Sequence, residues 1–380
     1  MVGWSAAAAT LTALFMGALS DRLGKRRLLI GLGYILWGGS TAAFGLVTAE
    51  SAAKLFPAAN AVAAAAVMTV VLDCVMTFFG STANDAAFNA WLTDATDETN
   101  RGRAESVIAT LPLISMLVIF GAFDGLTQAG RWREFFGIFG ALVTAAGVVS
   151  LFLVKDEPGL EPRRDSYFKN LVYGLRPSVA RENPGLYLAL AAFAVFSVAV
   201  QVFFPYLIIY IQNFLGIADY AIVLGVVLIA ASLVSVLSGR LIDRLGKLRF
   251  TLPASAVMFA GLVAMYFARG QLAVILAGCV MMSGYMLVTA SLSGKVCDLT
   301  PPDKAGHFQG IRMLFAVLLP MIIGPQIGSA VIKGGDSTYV ELGVTKTVPT
   351  PGIFLAAAGV LLLTLIPVFI LRRREKHADN

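Results

Sequence analysis

Polar side chains recur every fourth residue in one long apolar stretch, and they are the first candidates for chemistry. They are Asp73, Thr77, Ser81, Asp85 and Asn89, with Asn84 beside them. At 3.6 residues per turn such a stripe drifts by about 40° per step, so we expect only Thr77 to Asn89 to share one helix face. A carboxylate on that face could accept two hydroxyl hydrogen bonds, take up a proton or bind sodium. We predict Asp85 to be the principal group.

The elements that must position this stripe are long apolar helices. Apolar residues make up 58% of the 380 positions, charged residues 14%, and the mean hydropathy is +0.79, which excludes an ordinary soluble domain. About 20 apolar residues cross a hydrocarbon core as a helix. We predict eleven spans: Val2–Leu19, Leu28–Thr48, Ala61–Trp91, Val107–Phe123, Phe135–Val154, Leu186–Ile211, Ala221–Leu237, Phe250–Ala268, Leu272–Leu292, Met313–Ile332 and Ile353–Leu371.

The basic residues between the spans indicate the orientation of the chain. When the turns are assigned alternately to two sides, only six of the 29 Lys and Arg residues fall on one side: Lys54, Arg131, Arg133, Arg269, Lys333 and Lys346. The positive-inside rule makes the other side cytoplasmic, including the carboxyl tail, and it explains the net charge of +6 without a nucleic-acid partner. In this orientation Asp73 lies about two turns from the outer side, where it either belongs to the site or meets interfacial water. Asp73 and Asp85 are the only acidic residues inside the predicted spans.

A short string occurs twice, each time in a turn between two apolar runs. The first copy runs from Gly17 to Arg26 and the second from Gly239 to Lys247. The glycines and charged residues of the copies are Gly17, Asp21, Arg22, Gly24, Lys25 and Arg26, and Gly239, Asp243, Arg244, Gly246 and Lys247. An aspartate at the carboxyl end of a helix faces the negative end of the helix dipole, so Asp21 and Asp243 require a compensating cation or the amino end of another helix.

The repeat also divides the chain. We predict an amino-terminal bundle at 1–154, a cytoplasmic linker at 155–185, a carboxyl-terminal bundle at 186–371 and a tail at 372–380. If the two bundles are parallel repeats, equivalent turns occupy equivalent places. The second copy is preceded by two spans of its half and the first copy by one, so the sequence predicts a twelve-helix fold that lacks its first helix.

The string G-x-L-x-D-R-x-G-K resembles the signature of the major facilitator superfamily, and the resemblance covers the whole chain. It implies two parallel helical bundles around a cavity, secondary transport by alternating access, and a latch in which the string bonds the cytoplasmic ends of the two halves in one conformation. The alternative is that these charges only set topology and cap helices.

The segment from Asn84 to Trp91, followed by Asp94 and Arg101, resembles the fourth-helix region of glycoside-pentoside-hexuronide cation symporters. That family implies a role for Asp85 in binding sugar hydroxyls or the coupling cation. Two departures count against this resemblance. The first span here lacks the acids that the family carries on its second helix, which argues against a sodium site, and the family's basic residue in the eleventh helix is not clearly present, since Arg312 lies too near the cytoplasmic end.

Uncharged groups of the second half could complete a cavity. The candidates are Gln201, Tyr206, Tyr285 and Gln326, and each could equally make an interhelical hydrogen bond. The run Gly324-Pro325-Gln326-Ile327-Gly328 marks a possible bend. Cys74, Cys279 and Cys297 have no metal-ligand spacing, and no catalytic triad or phosphate loop is present, so we expect no metal, no cofactor and no enzyme.

The sequence thus predicts a monomeric all-α protein of the plasma membrane that transports a small solute. A sugar or glycoside moved with a proton is the leading interpretation, with sodium as the other possible coupling ion. Amphipathic organic solutes or drugs form the second substrate class. A membrane sensor or scaffold that does not transport is the alternative from another functional class.

Overall fold

The chain is almost entirely helical. The computed structural model describes residues 2–57, 60–97, 99–156, 176–217, 219–301, 305–333, 337–341 and 344–378. The helices in the first half of the sequence are α1 (Val2–Leu23), α2 (Arg26–Phe44), α3 (Ala49–Leu55), α4 (Ala61–Ala95), α5 (Arg101–Phe123), α6 (Asp124–Gln128) and α7 (Trp132–Leu153). The later helices are α8 (Pro177–Glu182), α9 (Pro184–Phe214), α10 (Tyr220–Leu245), α11 (Lys247–Phe267), α12 (Gln271–Leu299), α13 (Ala305–Met313), α14 (Leu319–Ile332), α15 (Gly352–Leu363) and α16 (Leu365–Ala378).

The helices agree with the predicted spans in position more closely than in number. Each of the eleven predicted spans is helical over most of its length. Among the described residues, nine helices are long and apolar enough to cross a membrane, and ten spans result if α2 and α3, which meet at 99°, form one broken span. The helix of the predicted second span ends early, at Phe44, and Thr48 and Ser51 form a capping box that starts α3 in a new direction.

Three kinds of local structure were not predicted. The helical path includes π-helical segments at Ser81–Phe88, Ile119–Phe123, Tyr210–Phe214 and Leu314–Leu318. A hairpin pairs β1 (Thr338–Glu341) with β2 (Val344–Thr347), and five of the eight strand residues are β-branched. The short helix α8, with Pro177 in its first turn, lies in the predicted linker, and residues 157–175 of that linker lie outside the described residues.

Contacts divide the chain into two compact units. The first comprises residues 1–95, 122–182 and 300–314, and within it α2 and α7 approach closely because glycines face each other. A Cβ added to Gly38 would come within 2.5 Å of the Gly140 carbonyl oxygen, so larger residues would separate the two helices. In the same unit, α13 packs against α1 and against the π-helical segment of α4.

The second unit comprises residues 96–121, 183–299 and 315–380. Its strongest helix pairings are α11 with α12, and α10 with both α5 and α12. Each unit therefore includes a helix from the other predicted half of the sequence: α13 in the first unit and α5 in the second. The division into bundles at 1–154 and 186–371 stays a prediction.

Candidate functional site

The Asp85 carboxylate lies in a hydrogen-bonded cluster on the π-helical segment of α4. The Ser81 hydroxyl donates to Asp85 Oδ2 at 2.7 Å, and the Asn84 amide donates to Asp85 Oδ1 at 3.0 Å. The Tyr34 hydroxyl of α2 donates to Asn84 Oδ1 at 3.0 Å, which extends the chain of hydrogen bonds to a second helix. Both oxygens of the carboxylate thus receive a donor within an apolar span, which offsets part of the cost of burying it.

The π-helical geometry changes how the predicted stripe is arranged. Five-residue hydrogen bonds replace the ordinary four-residue pattern between Ser81 and Phe88, so the assumed 3.6 residues per turn does not apply there. The Asn89 amide donates to the backbone carbonyls of Asn84 and Asp85 at 3.1 and 3.4 Å. Asn89 is therefore occupied in closing the π-helical turn, whereas Ser81 and Asn84 contact the carboxylate directly.

The two remaining members of the stripe lie on the regular part of α4. Thr77 and Asp73 are both half-buried, one and two turns before Ser81. No described hydrogen bond joins either of them to the Asp85 cluster. Their membership in the site stays a prediction.

Two residues near Asp85 add to the predicted site. Tyr34 was missed because a single tyrosine in an apolar span carries no periodic signal. Arg312 of α13 interacts electrostatically with Asp85, and α13 packs against the π-helical segment that carries Asp85. The sequence alone marks Arg312 only as a basic residue near a cytoplasmic helix end.

In the second unit, Gln201 and Tyr206 both lie against the Gly-Pro run of α14. A Cβ on Gly324 would come within 2.4 Å of Gln201 Cβ, and a Cβ on Gly328 within 2.6 Å of Tyr206 Cε2, so the glycines allow α9 to approach. The Tyr206 hydroxyl donates to the Pro325 carbonyl oxygen at 2.9 Å. At this level α9 leaves the α-helical form for a 3₁₀ turn at Phe204–Tyr206.

Tyr285 and Gln326 occupy different surroundings from those two residues. Tyr285 stacks on Phe196 with ring centroids 5.9 Å apart, while the Gln326 side chain is exposed. The four predicted cavity groups of the second half therefore do not form one hydrogen-bonded cluster among the described contacts. Whether any of them binds a solute stays a prediction.

The second copy of the repeated string forms a buried charge network, which we call the Asp243 network. Asp243 accepts hydrogen bonds from the backbone amides of Gly102 and Arg103, at 2.8 and 3.0 Å. These amides belong to the first turn of α5, so the aspartate faces the positive end of a helix dipole. This is the kind of partner that the dipole argument required for Asp243.

Further charges connect the Asp243 network to α11 and α12. Lys247 Nζ lies 2.9 Å from Asp298 Oδ2 and 3.8 Å from Asp243 Oδ1. Arg101, the first residue of α5, places Nη1 2.6 Å from Asp298 Oδ1. The network therefore joins a helix of the predicted first half to three helices of the second.

In the loop before α5, a hydrogen bond from the Thr99 hydroxyl holds the pKa of Asp97 below its usual range.

A third buried acid accompanies the Asp243 network. Glu105 of α5 is 4% exposed, and Cys297 Sγ donates to its Oε1 at 3.4 Å. The predicted span starts at Val107, which excludes Glu105, but α5 begins at Arg101. Among the described residues, no group of three or more His, Cys, Asp or Glu side chains could hold a metal ion.

The first copy of the string is arranged differently. Arg26 is fully buried, with Nε 3.1 Å from Asp94 Oδ2 and Nη1 2.6 Å from the Ser20 hydroxyl. Arg22 and Lys25 are exposed. The Asp21 side chain lies outside the described part of the chain, so its predicted partner stays a prediction.

Comparisons with known proteins place this geometry in a family. A family model described as Major Facilitator Superfamily matches residues 1–325. The human organic anion transporter MFSD10 (TETRAN) is similar over 97% of this chain and 82% of its own, with a TM-score of 0.70 and 17% identity. The proton:xylose symporter XylE bound to 6-bromo-6-deoxy-D-glucose is similar over 97% and 85%, with a TM-score of 0.64 and 13% identity. No curated protein sequence matches significantly. At these identities the structural similarities show the fold alone.

Proposed function

The chain belongs to the major facilitator superfamily of transporters, and from this premise we propose that it moves a sugar or glycoside across the membrane together with a proton. The observation that carries the proposal is the Asp85 carboxylate, which receives hydrogen bonds from Ser81 and Asn84 inside an apolar helix. A charged group in such a place is costly and is typical of a substrate or ion pathway. Sodium is the alternative coupling ion.

The chemistry around Asp85 suits both parts of this proposal. A carboxylate can bind two sugar hydroxyls and can also take up a proton, while the Asn84 amide and the Tyr34 hydroxyl supply both donors and acceptors. Arg312 interacts with the carboxylate electrostatically, so it can stabilise the ionised form after the proton has left. The resemblance to glycoside-pentoside-hexuronide symporters supports the same assignment for Asp85.

The Asp243 network is our candidate for the latch of the transport cycle. It connects α5 to α10, α11 and α12 through buried charges, and such a network has few favourable intermediate arrangements. Asp21 and the other residues of the first copy form the proposed counterpart. A monomeric protein in the plasma membrane, with its linker and carboxyl tail in the cytoplasm, completes the proposal.

Accumulation of radiolabelled solutes in proteoliposomes tests the coupling role of Asp85. An imposed pH gradient should drive uptake by the wild type, and Asp85→Asn should abolish accumulation while solute exchange without a gradient persists. Asp219→Asn is the control, since it makes the same chemical change at an exposed position outside the predicted site. Accumulation that survives Asp85→Asn would exclude the coupling role.

A second candidate substrate class is an amphipathic organic anion, which the positive charge of Arg312 beside the cluster would favour. A panel of pentoses, hexoses, β-glycosides and aromatic carboxylates separates the two classes in the same assay. Transport of the carboxylates alone, lost in Arg312→Gln, would replace the sugar proposal. Uptake of no solute at all would favour the sensor or scaffold.

A further inference from the structure

A polar pocket of about 360 Å³ opens beside the Asp243 network, at the ends of α10, α11, α12 and α16. It is lined by four cationic side chains and three carboxylates: Arg244, Lys247, Arg249 and Lys295, and Asp243, Asp298 and Glu375. We propose that this pocket binds the phosphate headgroup of an anionic phospholipid. The proposal is independent of which solute is transported.

The carboxylates of the pocket are already engaged. Asp243 accepts hydrogen bonds from backbone amides of α5. Asp298 forms ion pairs with Arg101 and Lys247. Glu375 Oε1 lies 2.5 Å from Lys295 Nζ. Arg244 and Arg249 are exposed, and within the part of the chain that the structure describes neither forms an ion pair. The pocket thus presents two guanidinium groups without a carboxylate to neutralise them.

Guanidinium groups match a phosphate well. Their planar forks donate paired hydrogen bonds to two oxygens of one phosphate, and two arginines favour a headgroup with net negative charge. The helix ends place the pocket where a span leaves the apolar core, which is the depth of lipid headgroups. By the positive-inside rule this is the cytoplasmic leaflet.

An apolar track leads from the pocket along α10. Leu245 lines the pocket and is 49% exposed, and Leu241 and Leu237, one and two turns further along the helix, are 46% and 79% exposed. Residues four apart share a helix face, so the three leucines form a continuous surface. An acyl chain could lie on this surface while its phosphate contacts Arg244 and Arg249. The track favours a lipid over a soluble phosphate.

Native mass spectrometry of the purified full chain in detergent tests the proposal with defined lipids. Wild type should retain phosphatidylglycerol in preference to phosphatidylcholine, and Arg244→Gln/Arg249→Gln should weaken phosphatidylglycerol binding by about tenfold or more. The matched control is Arg373→Gln/Arg374→Gln, which removes the same charge from exposed α16 residues that do not line the pocket. The control should bind as wild type does.

Several outcomes would overturn the proposal. These are equal retention of the two lipids by wild type, an equal loss in the control, or displacement of the lipid by millimolar inorganic phosphate, which would indicate a soluble ligand. If the double glutamine variant does not fold, as judged by its melting temperature in phosphatidylcholine, Arg244→Lys/Arg249→Lys keeps the charge and should bind several-fold more weakly than wild type. Unchanged binding by that variant would exclude the guanidinium contacts.

Discussion

The two copies of the repeated string end in turns of different length. In the first copy Gly24 and Lys25 separate α1 from α2, whereas in the second copy Gly246 alone separates α10 from α11. The first residue of the following helix is therefore Arg26 in one copy and Lys247 in the other. Each of these residues is the buried cation of its copy, and each pairs with an aspartate near the end of a later helix, Asp94 or Asp298.

This difference shows that position along a helix, and not position in the string, decides which residue is buried. Aligning the strings letter by letter equates Lys25 with Lys247, but Lys25 is exposed. The copies also differ in which helices their charged contacts connect. The ion pair of Arg26 joins helices of the first half alone, whereas the Asp243 network includes α5 from the other predicted half. The second copy is thus the stronger candidate for a latch, because its described contacts include a helix from the other predicted half.

The largest expected effect tests which cation of the first copy matters. Arg26→Ala removes the buried cation that pairs with the Asp94 carboxylate, which is 6% exposed, and we expect a loss of about 3–5 kcal/mol in the free energy of unfolding. Lys25→Ala, at the adjacent exposed position, should change it by less than about 0.5 kcal/mol. Denaturant unfolding of the purified protein in micelles measures both. Equal losses in the free energy of unfolding would show that Lys25 matters as much as Arg26, as the letter-by-letter alignment of Lys25 with Lys247 implies.

A smaller effect is expected when the latch candidate loses one charge. Asp243→Asn keeps an acceptor for the α5 amides but loses the attraction to the helix dipole and to Lys247, at a cost of about 1–2 kcal/mol. The contact between α5 and α10 should open more often.

In a background without the three native cysteines, Ser106→Cys should then react about tenfold faster with a maleimide, since Ser106 is fully buried against α10. Asp219→Asn, exposed before the other end of α10, is the control. An unchanged reaction rate would show that the Asp243 network does not control the opening of the contact between α5 and α10.

The smallest effect concerns the one-residue turn of the second copy. Gly246 has φ +83°, and apart from its chain neighbours no heavy atom lies within 4 Å of where a Cβ would stand. Gly246→Ala should therefore cost about 1 kcal/mol through backbone strain alone, because φ +83° with ψ 130° is a conformation that L side chains rarely adopt. Gly137→Ala adds the same methyl group in an equally open place within α7, where it should stabilise the protein slightly. Thermal unfolding of the two variants should shift in opposite directions, and a melting temperature of Gly246→Ala at or above that of the wild type would show that the turn is not strained.

The positions of the helices followed from the sequence because apolar runs of about 20 residues have few other stable forms in a membrane. The family likewise followed from a string whose two copies stand in equivalent turns. The sequence also singled out Asp85, since a carboxylate in an apolar helix is conspicuous. It could not supply Tyr34, whose relevance depends on α2 lying beside α4. The predicted span also left out Glu105, because hydropathy alone does not locate the residue at which a helix begins.

The sequence by itself determined the membrane class, the approximate spans and the transporter family, and it singled out a few charges as candidates. These properties depend on composition and on local order along the chain. The tertiary structure decided the partners: Asp243 with the amides of α5, Arg26 rather than Lys25 with Asp94, and Asp85 with a π-helical turn that Asn89 closes. Such partners depend on helix registers and crossings, which small residues such as Gly102 and Gly239 permit but which no short stretch of sequence encodes.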